Sequence, residues 1–227
     1  MNTWSILYDL CMGFGVTLKL FALTLVIALP LGLGFALLSM SKLKPLAYLM
    51  KTFIWIIRGT PLLLQCVVVT FIPSVLLKIP NKDFAAAIGT SITDLQFYFV
   101  LFAFALNYAC YFAVIYEGGI KAIPRGQYEA GQVLGMTKTQ IFFRVVLMQM
   151  VRRIVSPMSN EVITLVKDTA LARALSVIEI IAIAYEKVNK YAVLTPLLYA
   201  ALFYLAFSGL LTLAFHFIDK KLSYYSV

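Results

Sequence analysis

Charge is scarce in this sequence. Asp, Glu, Lys and Arg make up 13% of the 227 residues, about half of the roughly 25% usual for a soluble domain. Apolar residues fill 62% of positions and the mean hydropathy is +0.92, which together exclude an ordinary soluble enzyme. Catalytic and ligating groups are equally sparse. His216 is the only histidine and has no partner at ligand spacing. Cys11, Cys66 and Cys110 lie inside apolar stretches without C-x-x-C or His-paired spacing, so they are expected as small core or lipid-facing residues. The chain has neither H-E-x-x-H nor G-x-S-x-G, which leaves an intramembrane hydrolase without a nucleophile and base. It also lacks G-x-x-x-x-G-K-[ST], and the nearest piece, G-F-G-V-T-L-K at 13–19, has the wrong spacing; ATP hydrolysis by this chain is not expected. No Lys or Arg occurs among the first 18 residues and no small-residue cleavage site follows the first apolar segment, so that segment is expected to stay in the mature protein. Repeats, low-complexity tracts and linkers are missing too, and a single membrane domain over 12–218 with a short tail, 219–227, is expected.

What the sequence does have is long apolar runs. Crossing the roughly 30 Å hydrocarbon layer takes about 20 apolar residues in a helix, and four charge-free stretches reach that order: 20–41, 59–77, 95–116 and 191–218. A fifth, 154–176, is apolar overall but carries Glu161, Lys167, Asp168 and Arg173. The net charge of +9 sits between the runs instead of forming the water-facing patch a nucleic-acid binder would need. Lys42, Lys44, Lys51 and Arg58 separate the first two runs, and Lys121, Arg125, Lys138, Arg144, Arg152 and Arg153 dominate 117–153. Both segments are expected in the cytoplasm. Segment 78–94 balances Lys78 and Lys82 against Asp83 and Asp94, as an outer loop does, so the N-terminus is expected outside. Five crossings return the basic tail with Lys220 and Lys221 to the cytoplasm; four would strand it outside. Aromatic residues near the expected span ends, Trp4, Tyr8, Tyr98, Tyr185, Tyr191, Tyr224 and Tyr225, suit the interface. Ala28 and Gly32 form a small-xxx-small pair expected to pack helices.

The long basic loop reads as two short helices meeting at a sharp turn. The first, about Gln127 to Leu134, stops at Gly135, the residue type best suited to a left-handed position. The second opens with Thr137 and Gln140, a T-x-x-Q capping box, and carries an apolar face of Ile141, Phe142, Val145 and Val146 with Lys138 and Arg144 polar. Such a hairpin serves either to dock a soluble partner or to rest on the lipid surface.

Glu129-Ala130-Gly131, with Gly135 four positions on and the apolar stretch to Leu147, resembles the EAA motif of the permease subunits of binding-protein-dependent ABC importers. R-G-T-P-L-L-L-Q at 58–65, G-G-I-K-A-I-P-R-G-Q at 118–127 and N-E-V-I-T-L-V-K-D-T-A-L at 160–171 resemble the polar amino acid uptake branch. The resemblance covers most of the chain in the family's order and spacing. It implies an all-α integral membrane protein of five transmembrane helices, the type I ABC importer permease fold, with the N-terminus outside and the C-terminus in the cytoplasm. It implies that Glu129, Ala130, Gly131, Gly135, Met136 and Thr137 couple to a separate ATPase subunit, which holds ATP and Mg while this chain holds no cofactor or metal. It further implies an extracytoplasmic substrate-binding protein, which sets most of the substrate identity, and a second permease subunit, identical or different. Alternating access driven by ATP is the mechanism implied. Gly131 stands where the family has Ala, a change expected to loosen the helix by roughly 1 kcal/mol. Met148 stands for a proline, Ala170 for a serine, and Val114 and Glu117 for a glutamate and an arginine. The coupling role carries across these departures, while no substrate contact is assigned on the third span.

A polar solute needs polar groups at membrane depth. In the fifth stretch Asn160, Thr164, Lys167 and Asp168 fall at i, i+4, i+7 and i+8, with Glu161 beside them, so they share a helix stripe. Ionisable groups there are costly unless they face a cavity or one another; they line a pathway, or they brace the outer interface or a dimer contact. Arg58-Gly59-Thr60-Pro61 interrupts the second stretch, and Pro61 frees carbonyls that only a wet or protein-lined place tolerates. With Gln65 on Arg58's face, this segment is expected as a gate or hinge, the alternative being plain packing. An ion-coupled transporter would use the same Glu161, Lys167 and Asp168, but it has no use for the cytoplasmic hairpin.

Overall fold

The computed structural model describes residues 3–222, and these are helical nearly throughout. The first span is a single long helix, α1 (Thr3–Ser39), starting nine residues before the expected domain edge at residue 12. α5 (Ile92–Lys121) and α10 (Thr195–Leu222) hold the third and last charge-free runs. These three are long and apolar enough to cross a membrane. Helix α10 takes in Lys220 and Lys221, so the first part of the expected tail continues the helix; the remainder, with Tyr224 and Tyr225, lies outside the described residues.

The second run departs most from expectation. Helix α2 (Lys44–Arg58) fills what reads as a basic loop, and α3 (Leu62–Leu76) follows after a bend of 105° at residues 59–61. Pro45 suits the first turn of α2, where a missing N–H costs nothing. Leu46, Met50, Phe53, Ile54 and Ile57 then point inward at helical spacing, leaving Lys44 and Lys51 outward. The bend has the expected cause. Carbonyls freed at the break are taken up by side chains: Thr60 Oγ1 donates to Ile56 O at 3.1 Å, and Gln65 Nε2 donates to Ile57 O at 2.7 Å.

α1 and α5 form the central pair. Ala28 is fully buried, and a Cβ on Gly32 would lie 2.8 Å from Ala109 O and 2.9 Å from Phe112 Cβ, so the small-xxx-small pair does set a close helix approach. Phe104, Tyr108 and Phe112 of α5 fill the core between α1 and the fifth candidate span. A short helix, α4 (Asn81–Ala87), joins α3 to α5.

After α5 the chain forms α6 (Arg125–Val133) and α7 (Lys138–Ile141). It then passes through one π-helical turn, Phe142–Val146, into α8 (Leu147–Asp168) and a 3-10 segment, Thr169–Leu175. The expected second loop helix is therefore continuous with the fifth candidate span. Ile141 and Val146 are buried while Phe142 is exposed; the five-residue spacing of the π turn re-phases the apolar face that a regular helix would have placed on 141, 142, 145 and 146. Cys66 and Cys110 are buried and Cys11 is exposed. α9 (Ile180–Tyr191) packs on the N-terminal part of α1 before α10. Glu179 accepts from the amides of Ile181 and Ala182 at its start and from Tyr204 Oη of α10 at 3.3 Å. Lys187 pairs with Asp9 of α1 at 2.6 Å. These contacts tie α9 to both neighbours.

Candidate functional site: a polar cavity beside the broken helix

A cavity of about 630 Å³ opens between the α2–α3 break, α5, and the C-terminal half of α8. Arg58, Gly59, Thr60 and Pro61 form one wall; Glu161, Thr164 and Asp168 form the opposite one. Two segments more than 90 residues apart in sequence thus converge. Thr60 Oγ1 accepts from Gln65 Nε2 at 2.8 Å, and Gln65 Oε1 in turn accepts from Asn107 Nδ2 of α5 at 3.0 Å. The break is held by a short chain of hydrogen bonds, as a polar site within a span requires.

The third wall went unassigned in the sequence. Asn107, Tyr108 and Tyr111 line the cavity, with Tyr108 Oη donating to Asp168 Oδ2 at 2.7 Å. The Arg58 guanidinium lies over the Tyr111 ring at 5.0 Å, a cation–π distance. The only sequence signal for this wall is Asn107 alone inside a charge-free run, with Tyr111 one turn further along. Nothing local distinguishes Tyr108 from the other aromatic residues of α5.

The stripe on α8 is divided. Glu161, Thr164 and Asp168 face the cavity, whereas Lys167 is exposed and is not part of this cavity's lining. Asn160 turns to a different groove, shared with Ser156, Arg152, His216 and Asp219 where α8 meets α10. The cavity face is centred about 50° from the stripe that the spacing suggests, roughly half a residue's rotation. Chemically the cavity offers one guanidinium, two carboxylates, and hydroxyl and amide groups: a donor for a carboxylate and acceptors for an ammonium.

The hairpin keeps its expected caps. Gly135 has φ +72°, and the Thr137–Gln140 capping box is complete. Glu129 and Ala130 are exposed and Met136 is half-buried against the core. At the hairpin's tip Val133 and Leu134 are 87% and 78% exposed, an apolar pair available for docking. Gly131 has a different role from the loosening expected of it. A Cβ there would meet Ile141 Cγ1 at 2.6 Å, so the glycine lets α6 and α7 close on each other.

Comparison with known proteins agrees with this architecture. A family model described as "Binding-protein-dependent transport system inner membrane component" matches residues 28–224. The L-cystine transport system permease protein TcyB of Bacillus subtilis (strain 168) is 34% identical over 98% of this chain and 88% of its own length. The arginine ABC transporter permease protein ArtQ of Escherichia coli (strain K12) is 33% identical over 75% of this chain and 76% of its own. Among solved structures, an amino acid ABC transporter crystallised with histidines superposes with a TM-score of 0.79 at 26% identity, over 97% of this chain and 99% of that one. The MetNI methionine ABC transporter, in an inward-facing conformation, shares the fold with a TM-score of 0.67 at 20% identity, over 98% of this chain and 100% of that one. The chain belongs to the family of binding-protein-dependent transport system inner membrane components, and its all-α architecture is the type I ABC importer permease fold.

Proposed function

We propose that this chain is one of two permease subunits of an ATP-driven importer of polar amino acids, and that the cavity beside the broken helix is where substrate passes. Arg58 would take the substrate carboxylate, and Glu161 and Asp168 its ammonium. The N-terminus lies outside, a binding protein delivers substrate there, and the hairpin of α6 and α7 docks on an ATPase that holds ATP and Mg. One observation carries this reading above the others. α7, the π turn and α8 form one unbroken helical run that starts at the hairpin and ends at Asp168, so a push on the hairpin is carried to the cavity wall along a single element, through the π turn and past Pro157. An ion-coupled transporter would need neither the hairpin nor that run.

The experiment is a Gly135→Val variant of the reconstituted complex. A β-branched residue at φ +72° is strained by about 1–3 kcal/mol, enough to disturb the turn while leaving the spans intact. The variant is expected to reach the membrane in normal amounts, yet to lose uptake and the stimulation of ATP hydrolysis by loaded binding protein. Wild-type uptake with this variant would remove the coupling role from the hairpin.

A further inference from the structure

At the hairpin end of the bundle, in a recess that shares no lining residue with the substrate cavity, lysines from two helices converge. Lys44 and Lys51 on α2 and Lys121 at the end of α5 line a cavity of about 560 Å³, together with the hydroxyl-bearing Ser39, Ser41 and Tyr48. Glu117 is the acid nearest these lysines, and it is already engaged: it pairs with Lys121 and accepts from Ser39 Oγ at 2.8 Å. The first turn of α2 carries no acid either. Glu117 also feels the charge of Lys51, but one acid against three lysines leaves the recess with excess positive charge, and Lys44 and Lys51 lie two turns apart on one helix face.

The cavity continues into an apolar groove. Lys44 and Tyr48 also border a neighbouring hollow of about 760 Å³ whose other walls are Pro45, Leu49 and Thr52. Tyr48 and Leu49 are 76% and 67% exposed. A basic recess opening onto an exposed apolar channel, at the end of two long apolar helices, has the division of a lipid: phosphate on one side, acyl chain on the other. Basic pockets between helices at the membrane surface recognise anionic headgroups in this way, and amphipathic helices seat the chains. We propose that α2 and the ends of α1 and α5 form a binding site for an anionic phospholipid, the headgroup phosphate between Lys44, Lys51 and Lys121 and one acyl chain along Tyr48 and Leu49.

The test is native mass spectrometry of the full-length chain, purified in neutral detergent and given equal amounts of phosphatidylglycerol and phosphatidylcholine with the same chains. The wild type is expected to retain phosphatidylglycerol about fivefold over phosphatidylcholine, a ratio that follows from charge-dependent headgroup binding. Lys44→Gln/Lys51→Gln should bring the ratio to one, and Lys44→Arg/Lys51→Arg should restore it. Both lysines are exposed, so neither change threatens the fold. Lys138→Gln/Arg144→Gln, which removes equal charge from the hairpin segment, should leave the preference intact. An equal loss in that control would reduce the effect to overall basicity and overturn the site. Displacement of the lipid by millimolar inorganic phosphate would make it a free-phosphate site, and displacement on adding the partner ATPase would assign the lysines to a protein interface; either result overturns the lipid assignment.

Discussion

Arg58→Gln is expected to cut ATP-driven amino-acid uptake by roughly tenfold to a hundredfold while leaving the subunit in the membrane. Arg58 is the one cationic side chain on the cavity wall, facing Glu161 and Asp168. A charge-assisted hydrogen bond to a carboxylate contributes about 1.5–3 kcal/mol, and each 1.4 kcal/mol is roughly a factor of ten. Glutamine keeps a donor but loses the charge and the fork of the guanidinium. Loss of the stacking on Tyr111 is a smaller effect, on the order of 0.5–2 kcal/mol. The same charge balance predicts selectivity. With two carboxylates against one guanidinium, glutamate and aspartate should compete poorly for uptake, and neutral or basic amino acids well. Uptake by reconstituted vesicles, with binding protein and ATPase held constant, reads both effects. Unchanged uptake in Arg58→Gln would take the guanidinium out of the pathway.

Gly32→Leu is expected to abolish the folded subunit. The Cβ alone would sit 2.8 Å from the Ala109 carbonyl and 2.9 Å from Phe112 Cβ, and the carbonyl belongs to helix backbone that cannot rotate away. Overpacking of a filled core costs about 1–3 kcal/mol for a few added methylenes. Here the added atoms fall on the most extensive helix pair of the molecule, so the cost is expected at or above the top of that range. Gly34, two residues along the same helix, has open space around it, and Gly34→Leu should be tolerated. Thermal stability in detergent separates the two. Equal stability of both variants would show that α1 and α5 are not held at the spacing seen here.

Much of the fold is legible in the sequence because a membrane makes charge placement informative. The charge-free runs at 20–41, 95–116 and 191–218 fall on α1, α5 and α10, apart from the last residues of the first run and the turn before α10. The hairpin is legible because its signals are local: Gly135 needs only its own φ, and Thr137 needs only Gln140 three residues on. Helix α2 is hidden by its own three basic residues and by Lys42 before it, which read as a loop although Leu46, Met50, Ile54 and Ile57 keep a helical period. The π turn is invisible locally; it depends on Ile141 and Val146 both finding the core.

The site is half legible for a related reason. Pro61 and the charges of α8 announce themselves as costly in a membrane, so both walls could be read separately. Which of two adjacent residues faces inward is a matter of helix rotation, set by packing against α5 and α10; hence Glu161 faces the cavity and Asn160 does not. Tyr108 looks like any aromatic residue in an apolar helix until Asp168 is seen 2.7 Å from its hydroxyl.

The most direct test of the central claim is a thiol at Thr164, which lines the cavity between Glu161 and Asp168, in a background with the exposed Cys11 replaced by serine. In the reconstituted complex, a charged methanethiosulfonate reagent should stop ATP-driven uptake by Thr164→Cys, and a transported amino acid should protect against it. Full modification with uptake unchanged, or uptake lost with no protection by any transported amino acid, would contradict the assignment of this cavity as the substrate route.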